Sequence, residues 1–236
     1  MTRIIKRAVG QRRDNILGDN IACVELVDWM GGDQQIVDRA RKCYQSQGKS
    51  TPDADERLLK RLAGDKPLHG TTLRGTVFTF DVLMPGFVVR QSTRHIVGHD
   101  TFGSDIWHTG GDSFDIGGAF DEQSFRYTDK VAFYVPPNLD QNRRQRWIDM
   151  CDWQRLEYAT LRAHGFDKQL ARCALGPQVY SQYEWSVNAQ GALDWWSKRL
   201  PGGGAQSETT KFAVAVMDII RELIPGTVAA WEAKNA

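Results

Sequence analysis

Residues 88–98 read VVRQSTRHIVG and residues 119–130 read AFDEQSFRYTDK, two polar segments divided by a Gly-rich excursion. The first sets Arg90 and Arg94 one helical turn apart, with Gln91 and His95 beside them. The second supplies Glu122, Ser124, Arg126 and Tyr127. Guanidinium forks, a carboxylate, a hydroxyl and nearby backbone donors are the groups that hold an anion carrying a polar ring, as in a nucleotide. Taken alone, the same spacing also describes a solvated face whose arginines pair with neighbouring acids.

Working outward, 236 residues at 41% hydrophobic and 25% charged suffice for one domain with a real core. A net charge of +1 gives no polyanion-coating surface, so a nucleic-acid partner is not expected. No stretch approaches the ~18 apolar residues of a membrane span. The basic start MTRIIKRAVGQRRD lacks the apolar centre of a secretory signal, which makes the cytoplasm the expected compartment. Cys23, Cys43, Cys151 and Cys173 are scattered without a CxxC pair, so neither a disulfide framework nor a zinc site is indicated.

Residues 20–30, NIACVELVDWM, alternate as a strand, and Gly31-Gly32 ends it. Asp33 then reads as the N-cap of a helix carrying Ile36, Val37, Ala40 and Cys43 or Tyr44 on one side. Ser50-Thr51-Pro52-Asp53 restarts the chain into a short amphipathic helix with Leu58, Leu59 and Leu62 inward and a stop near Gly64. The run TVFTFDVLMP alternates as a strand ending at Pro85, preceded by His69 and Thr71. Pro85 opens a helix through GFVVRQSTRHI, which carries the first polar segment.

From Gly98 to Gly118 no period is sustained, so this is a loop, and its length inside a compact domain points to a lid or an interface arm. Its His99, Asp100, Asp105, His108, Asp112 and Asp115 fit no standard metal spacing, and no metal is expected. Residues 139–164 form the longest predicted helix, with Trp147, Met150, Cys151, Gln154, Tyr158 and Leu161 on one side and Gly165 at its end. A short helix to Leu175, a strand VYSQYEWSV, a helix through Asp194 to Arg199 and a helix 205–223 stopped by Pro225 complete the chain.

RQSTRH followed by DEQSFRY resembles the RHRxxSxNExSxR signature of the flavin-dependent thymidylate synthases, opened by an insertion. His69-x-Thr71 before FTF, then ARCALGP, YSQYEWSVNAQ, SKR and AQSE, match further motifs of that family in order, so the likeness covers about residues 20–226. The resemblance implies a mixed α/β fold, one domain with an inserted loop at about 99–118, assembled as a homotetramer with active sites shared between subunits. It implies FAD as cofactor, methylenetetrahydrofolate as one-carbon donor, a deoxypyrimidine monophosphate as substrate, and NADPH as a candidate reductant. Carried over by position, the nucleotide would be held by Gln91, Arg94, Glu122, Gln123, Ser124, Phe125, Arg126, Arg172 and Arg199. Arg126 and Arg172 would suit the phosphate, and Arg199 is the expected catalytic residue. The flavin would contact His69, Thr71, Arg94, His95, Ile96, Val97, Asn188, Gln190 and Asp194.

These residue types suit the chemistry. A pyrimidine becomes nucleophilic at C5 only if charge building on the ring is stabilised, and a fixed guanidinium does this without a titrating proton. No cysteine nucleophile is needed; Cys173, beside Arg172, is expected as a small buried cysteine.

The chain also departs from the family pattern. Ile96, Asp121, Gln190, Asp194, Lys198 and Gly204 stand where Arg, Asn, Arg, Asn, Leu and His are usual. Several lie on the flavin and folate side, which points to hydroxymethylation of dCMP or dUMP, with methylation of dUMP to dTMP as the alternative. The substituted acids favour cytosine, because a carboxylate accepts from its amino group. A nucleic-acid-binding module using the arginines and tryptophans is the reading from another class, and the near-neutral charge stands against it.

Overall fold

The computed structural model describes residues 11–46, 48, 50–65, 69–93, 120–122, 131–201 and 204–235, with the backbone alone for 93, 120–122 and 235. Five antiparallel strands form one sheet: β1 (Arg12–Arg13), β2 (Cys23–Met30), β3 (Val77–Pro85), β4 (Phe120–Glu122) and β5 (Tyr180–Asn188), in the order β1-β2-β3-β5-β4. The helices are α1 (Asp33–Cys43), α2 (Pro52–Gly64), α3 (Gly70–Leu73), α4 (Gly86–Thr93), α5 (Gln141–Ala163), α6 (Lys168–Ala171), α7 (Ala189–Ser197), α8 (Ser207–Leu223) and α9 (Pro225–Asn235). This is the mixed α/β fold expected.

Alternation in β3 decides which face of the sheet is covered. Phe78, Phe80, Val82 and Met84 are fully buried, while Thr79 and Asp81 lie on the other, partly open face. Phe78 pairs with Val187, Phe80 with Trp185 and Val82 with Tyr183 on β5, so each cross-strand pair is apolar and faces inward. At ~1.5–3 kcal/mol for each large side chain removed from water, this layer is a main source of stability. Over it lie Trp195 of α7 and Phe212 of α8, whose rings meet edge-on at 5.5 Å, with Trp185 and Trp195 at 5.2 Å.

Several expectations are corrected. Asp33 does not cap α1, whose N-cap is Gly32 with no side-chain bond. Its carboxylate instead accepts from the backbone N–H groups of Gly226 and Thr227 at 2.7 and 2.9 Å, capping α9. That helix was not expected; Pro225 does end α8, but its fixed φ also suits the first turn of the next helix. The long helix α5 has close to the expected bounds and turns the expected side inward, with Trp147, Gln154 and Leu161 half-buried and only Met150, at the edge of that side, exposed. Cys151 and Tyr158 are buried, and Trp153 and Leu156 are more than 60% exposed. Its inward stripe packs on a small satellite cluster of Phe133, Cys151 and Val179. The single-turn α3 and three-residue β4 are too short to leave a period in the sequence.

Candidate active site

Helix α4 is anchored where it leaves β3: Gly86 N–H donates to the Val179 carbonyl and Phe87 N–H to that of Pro177, both at 2.9 Å. Val88 and Val89 are buried, which fixes the helix and brings the main chain of Gln91 against α7. There Arg199 Nη2 donates to the Gln91 carbonyl at 2.7 Å, and the Trp195 indole N–H donates to the same oxygen at 3.4 Å. Arg199 Nη1 reaches the Trp195 carbonyl at 3.5 Å, and the guanidinium lies 5.7 Å from the Trp195 ring centroid. Arg199 Nε is buried and has no acceptor among the described residues. Burial pulls the Arg199 pKa below its ordinary value, and Asp194 partly opposes this. The guanidinium remains a cation, held rigidly, with one buried N–H still to satisfy.

Of the positions assigned to the flavin, Asp194 acts on Arg199, while Asn188, Gln190, His69 and Thr71 meet at the other end of α7. Asn188 ends β5 and caps α7, its Oδ1 accepting from Gly191 N–H at 2.8 Å. Ala189 N–H donates to the Thr76 carbonyl at 2.8 Å, tying the start of α7 to the turn after α3. Gln190 therefore lies over α3, so close to Gly70 that a Cβ there would overlap its carboxamide. Its Oε1 accepts from Arg74 Nε at 2.8 Å. His69 and Thr71 flank Gly70; the His69 ring is half-exposed and 4.0 Å from the Asp65 carboxylate. Asp194 accepts from Lys198 Nζ at 2.9 Å, one turn along the same helix. Two departures from the family pattern thus satisfy each other.

Arg172 lies on another element, between α6 and β5. It opens a 3-10 turn, Arg172–Ala174, that follows α6 and packs against α5. Cys173, expected to be buried, is exposed, because that turn covers α5 with its other side. Glu122 is placed by backbone only, opposite Tyr183 on β5. Arg94, His95, Ile96, Val97, Gln123, Ser124, Phe125, Arg126 and the loop 99–118 lie outside the described residues. Among the described residues, no group of three or more His, Cys, Asp or Glu side chains is placed to hold a metal ion, and no helix is long and apolar enough to cross a membrane. Sequence reasoning missed two participants, Trp195 and Arg74. Trp195 stands four residues before Arg199, a spacing that signals contact on a helix; nothing local marks Arg74 as a partner of Gln190.

The described residues thus offer a rigid arginine, Arg199, with an unsatisfied buried N–H, and a separate polar contact of Gln190 with α3. The model of the thymidylate synthase complementing protein family, Thy1, matches residues 25–226, and the chain belongs to that family, the flavin-dependent thymidylate synthases, enzymes of one-carbon transfer. It is 30% identical over 224 residues to the flavin-dependent thymidylate synthase of Thermosipho melanesiensis, covering 86% of this chain and 87% of that one. Against the same enzyme of Thermosipho africanus it is 29% identical over 229 residues, covering 88% and 90%. The fold is also that of PolB from Streptomyces cacaoi, a UMP/dUMP methylase crystallised with 5-Br dUMP, at a TM-score of 0.71 and 23% identity, covering 89% of this chain and 94% of PolB.

Proposed function

We propose that this chain transfers one carbon from methylenetetrahydrofolate to C5 of a pyrimidine 2′-deoxynucleoside 5′-monophosphate, with FAD as cofactor. The observation that carries the reading is Arg199, locked by Gln91 and Trp195 with its Nε–H still unsatisfied. A ring carbonyl of the nucleotide is the acceptor that fits this donor. A guanidinium already in place stabilises charge that builds on the ring without reorganising during the reaction. Gln91 and Arg94 hold the ring, while Arg126 and Arg172 grip the phosphate. FAD, when bound, supplies the reducing equivalents. The residues facing it fit: Gln190 retains an amide NH2 with no acceptor among the described residues, and His69 and Thr71 are exposed beside it. Their part is to bind and orient the cofactor against the nucleotide.

Uracil is the first reading of the base. The case for cytosine lies in two substituted acids, Asp121 and Asp194, and the second of them is paired with Lys198 along its own helix. The thymidylate synthases among the relatives and the UMP/dUMP methylase PolB accord with this, and methylation to dTMP is the first reading of the product. Hydroxymethylation is the second, carried by the altered flavin-side pair Gln190 and Arg74. Incubation with FAD, a reductant, methylenetetrahydrofolate and either dUMP or dCMP, followed by mass measurement of the nucleotide, tests both. Methyl and hydroxymethyl products differ by one oxygen; absence of either product from both bases would overturn the proposal.

The homotetramer with shared sites belongs to the same reading. The turn opened by Arg172 packs with α5 and α6, and in this reading a second copy brings such a phosphate contact to Arg199. The exposed Trp153, Leu156, Phe166 and Leu170 give α5 and α6 an apolar surface suited to self-association.

A further inference from the structure

At the position where the family usually carries a flavin-contacting arginine, this chain has Gln190, which leaves that face of the site short of a cation. The structure returns one from another element. Arg74, just past α3, donates through Nε to Gln190 Oε1 at 2.8 Å across 116 residues of sequence. Gly70 makes this possible, since any Cβ there would displace the Gln190 carboxamide. Arg74 follows Thr71 by three residues and His69 by five, and all three side chains are exposed. The bond fixes both partners: Gln190 cannot swing away from α3, and the Arg74 fork is held at its Nε.

We propose that Arg74 is a further cofactor-binding residue, presenting to the flavin nucleotide the guanidinium that position 190 lacks. Its target is an electron-rich oxygen of the cofactor, of the kind offered by a phosphate and by the carbonyl edge of the flavin ring. Gln190 is the positioning partner that aims it. This inference rests on the proposed flavin-dependent function, and the experiment separates the two.

Purified protein stripped of cofactor is titrated with FAD, FMN and riboflavin, following flavin fluorescence. Wild type, Arg74→Ala, Arg74→Lys, Gln190→Ala and the double variant Arg74→Ala with Gln190→Arg are compared. Because Arg74 is exposed, circular dichroism and melting of Arg74→Ala should match wild type. FAD affinity should fall about tenfold or more in Arg74→Ala, less in Arg74→Lys, and recover in the double variant, which puts the guanidinium back at position 190. A loss for FAD and FMN but not riboflavin assigns the contact to phosphate, whereas an equal loss for all three assigns it to the ring. Unchanged FAD affinity in Arg74→Ala overturns the inference, as does a loss in Arg74→Ala that the double variant fails to recover. Wild-type protein that binds no flavin overturns the proposed function itself.

Discussion

The guanidinium of Arg199 and the main-chain carbonyl of Gln91 are joined by a 2.7 Å hydrogen bond that links the end of α7 to the signature helix α4. Trp195 donates to the same oxygen and lies against the guanidinium, so the cation has little freedom. Arg199→Lys keeps the charge but loses the planar fork and the Nε donor, and turnover should fall by more than about tenfold, equivalent to ~1.4 kcal/mol in the barrier. FAD binding should persist. Full turnover in the variant would remove Arg199 from the chemistry.

Trp195→Phe tests the other half of the same arrangement. Phenylalanine retains an aromatic surface in the core formed with Trp185 and Phe212 but cannot donate to Gln91. With the shared carbonyl left to Arg199 alone, kcat should drop severalfold while KM for the nucleotide changes little, because the loss is one of orientation. A KM effect with kcat intact would assign Trp195 to substrate binding instead.

Arg172 makes a prediction about assembly. If it grips the 5′-phosphate of a site completed by another copy, Arg172→Ala should weaken nucleotide binding and spare the nucleoside. Mixing Arg172→Ala protein with Arg199→Lys protein after dissociation and reassociation should then restore part of the activity, since some mixed sites contain both wild-type residues. No recovery in mixtures of demonstrated hetero-oligomers would place the two arginines in one subunit's site.

Asp33 offers a test of the fold. Its carboxylate takes the first N–H groups of α9 and the hydroxyl of Thr227, which is fully buried. Asp33→Ala leaves those donors without an acceptor and should cost about 1–2 kcal/mol, read as a lower urea midpoint. The loss should follow detachment of α9 from α2, which Trp231 fluorescence would report.

What was legible in the sequence is what depends on near neighbours. The alternation from Val77 to Pro85 and the helical spacing of Phe212, Val216 and Ile219 each mark a buried face directly, and the structure buries them. In α5 the spacing of Trp147, Cys151, Gln154, Tyr158 and Leu161 likewise marks the inward side, while Met150 at its edge is left exposed. Asp33 stood correctly at a helix start, yet its partner is 193 residues away, a pairing no window can contain. Gln190 and Asp194 were visible as departures. The Lys198 partner of Asp194 could have been read from its spacing of four, while Arg74 required the fold to bring it to Gln190.

The contact between α1 and α2 yields a pH-dependent prediction. Asp55 accepts from the Ser50 hydroxyl and from Arg41, whose side chain is 9% exposed. The Ser50 bond, followed by the Arg41 bond, holds the Asp55 carboxyl below its ordinary value, against the opposing effect of burial. A carboxyl depressed in the folded state stabilises fully above its unfolded-state value of ~3.9, and that contribution disappears as pH falls through the lower folded value. Asp55→Asn should therefore be less stable than wild type by a constant margin at neutral pH, with the margin shrinking below about pH 4. Urea unfolding of both proteins at several pH values measures it. A margin that stays level down to the acid transition would mean that the charge on Asp55 contributes nothing and that only its hydrogen bonds matter.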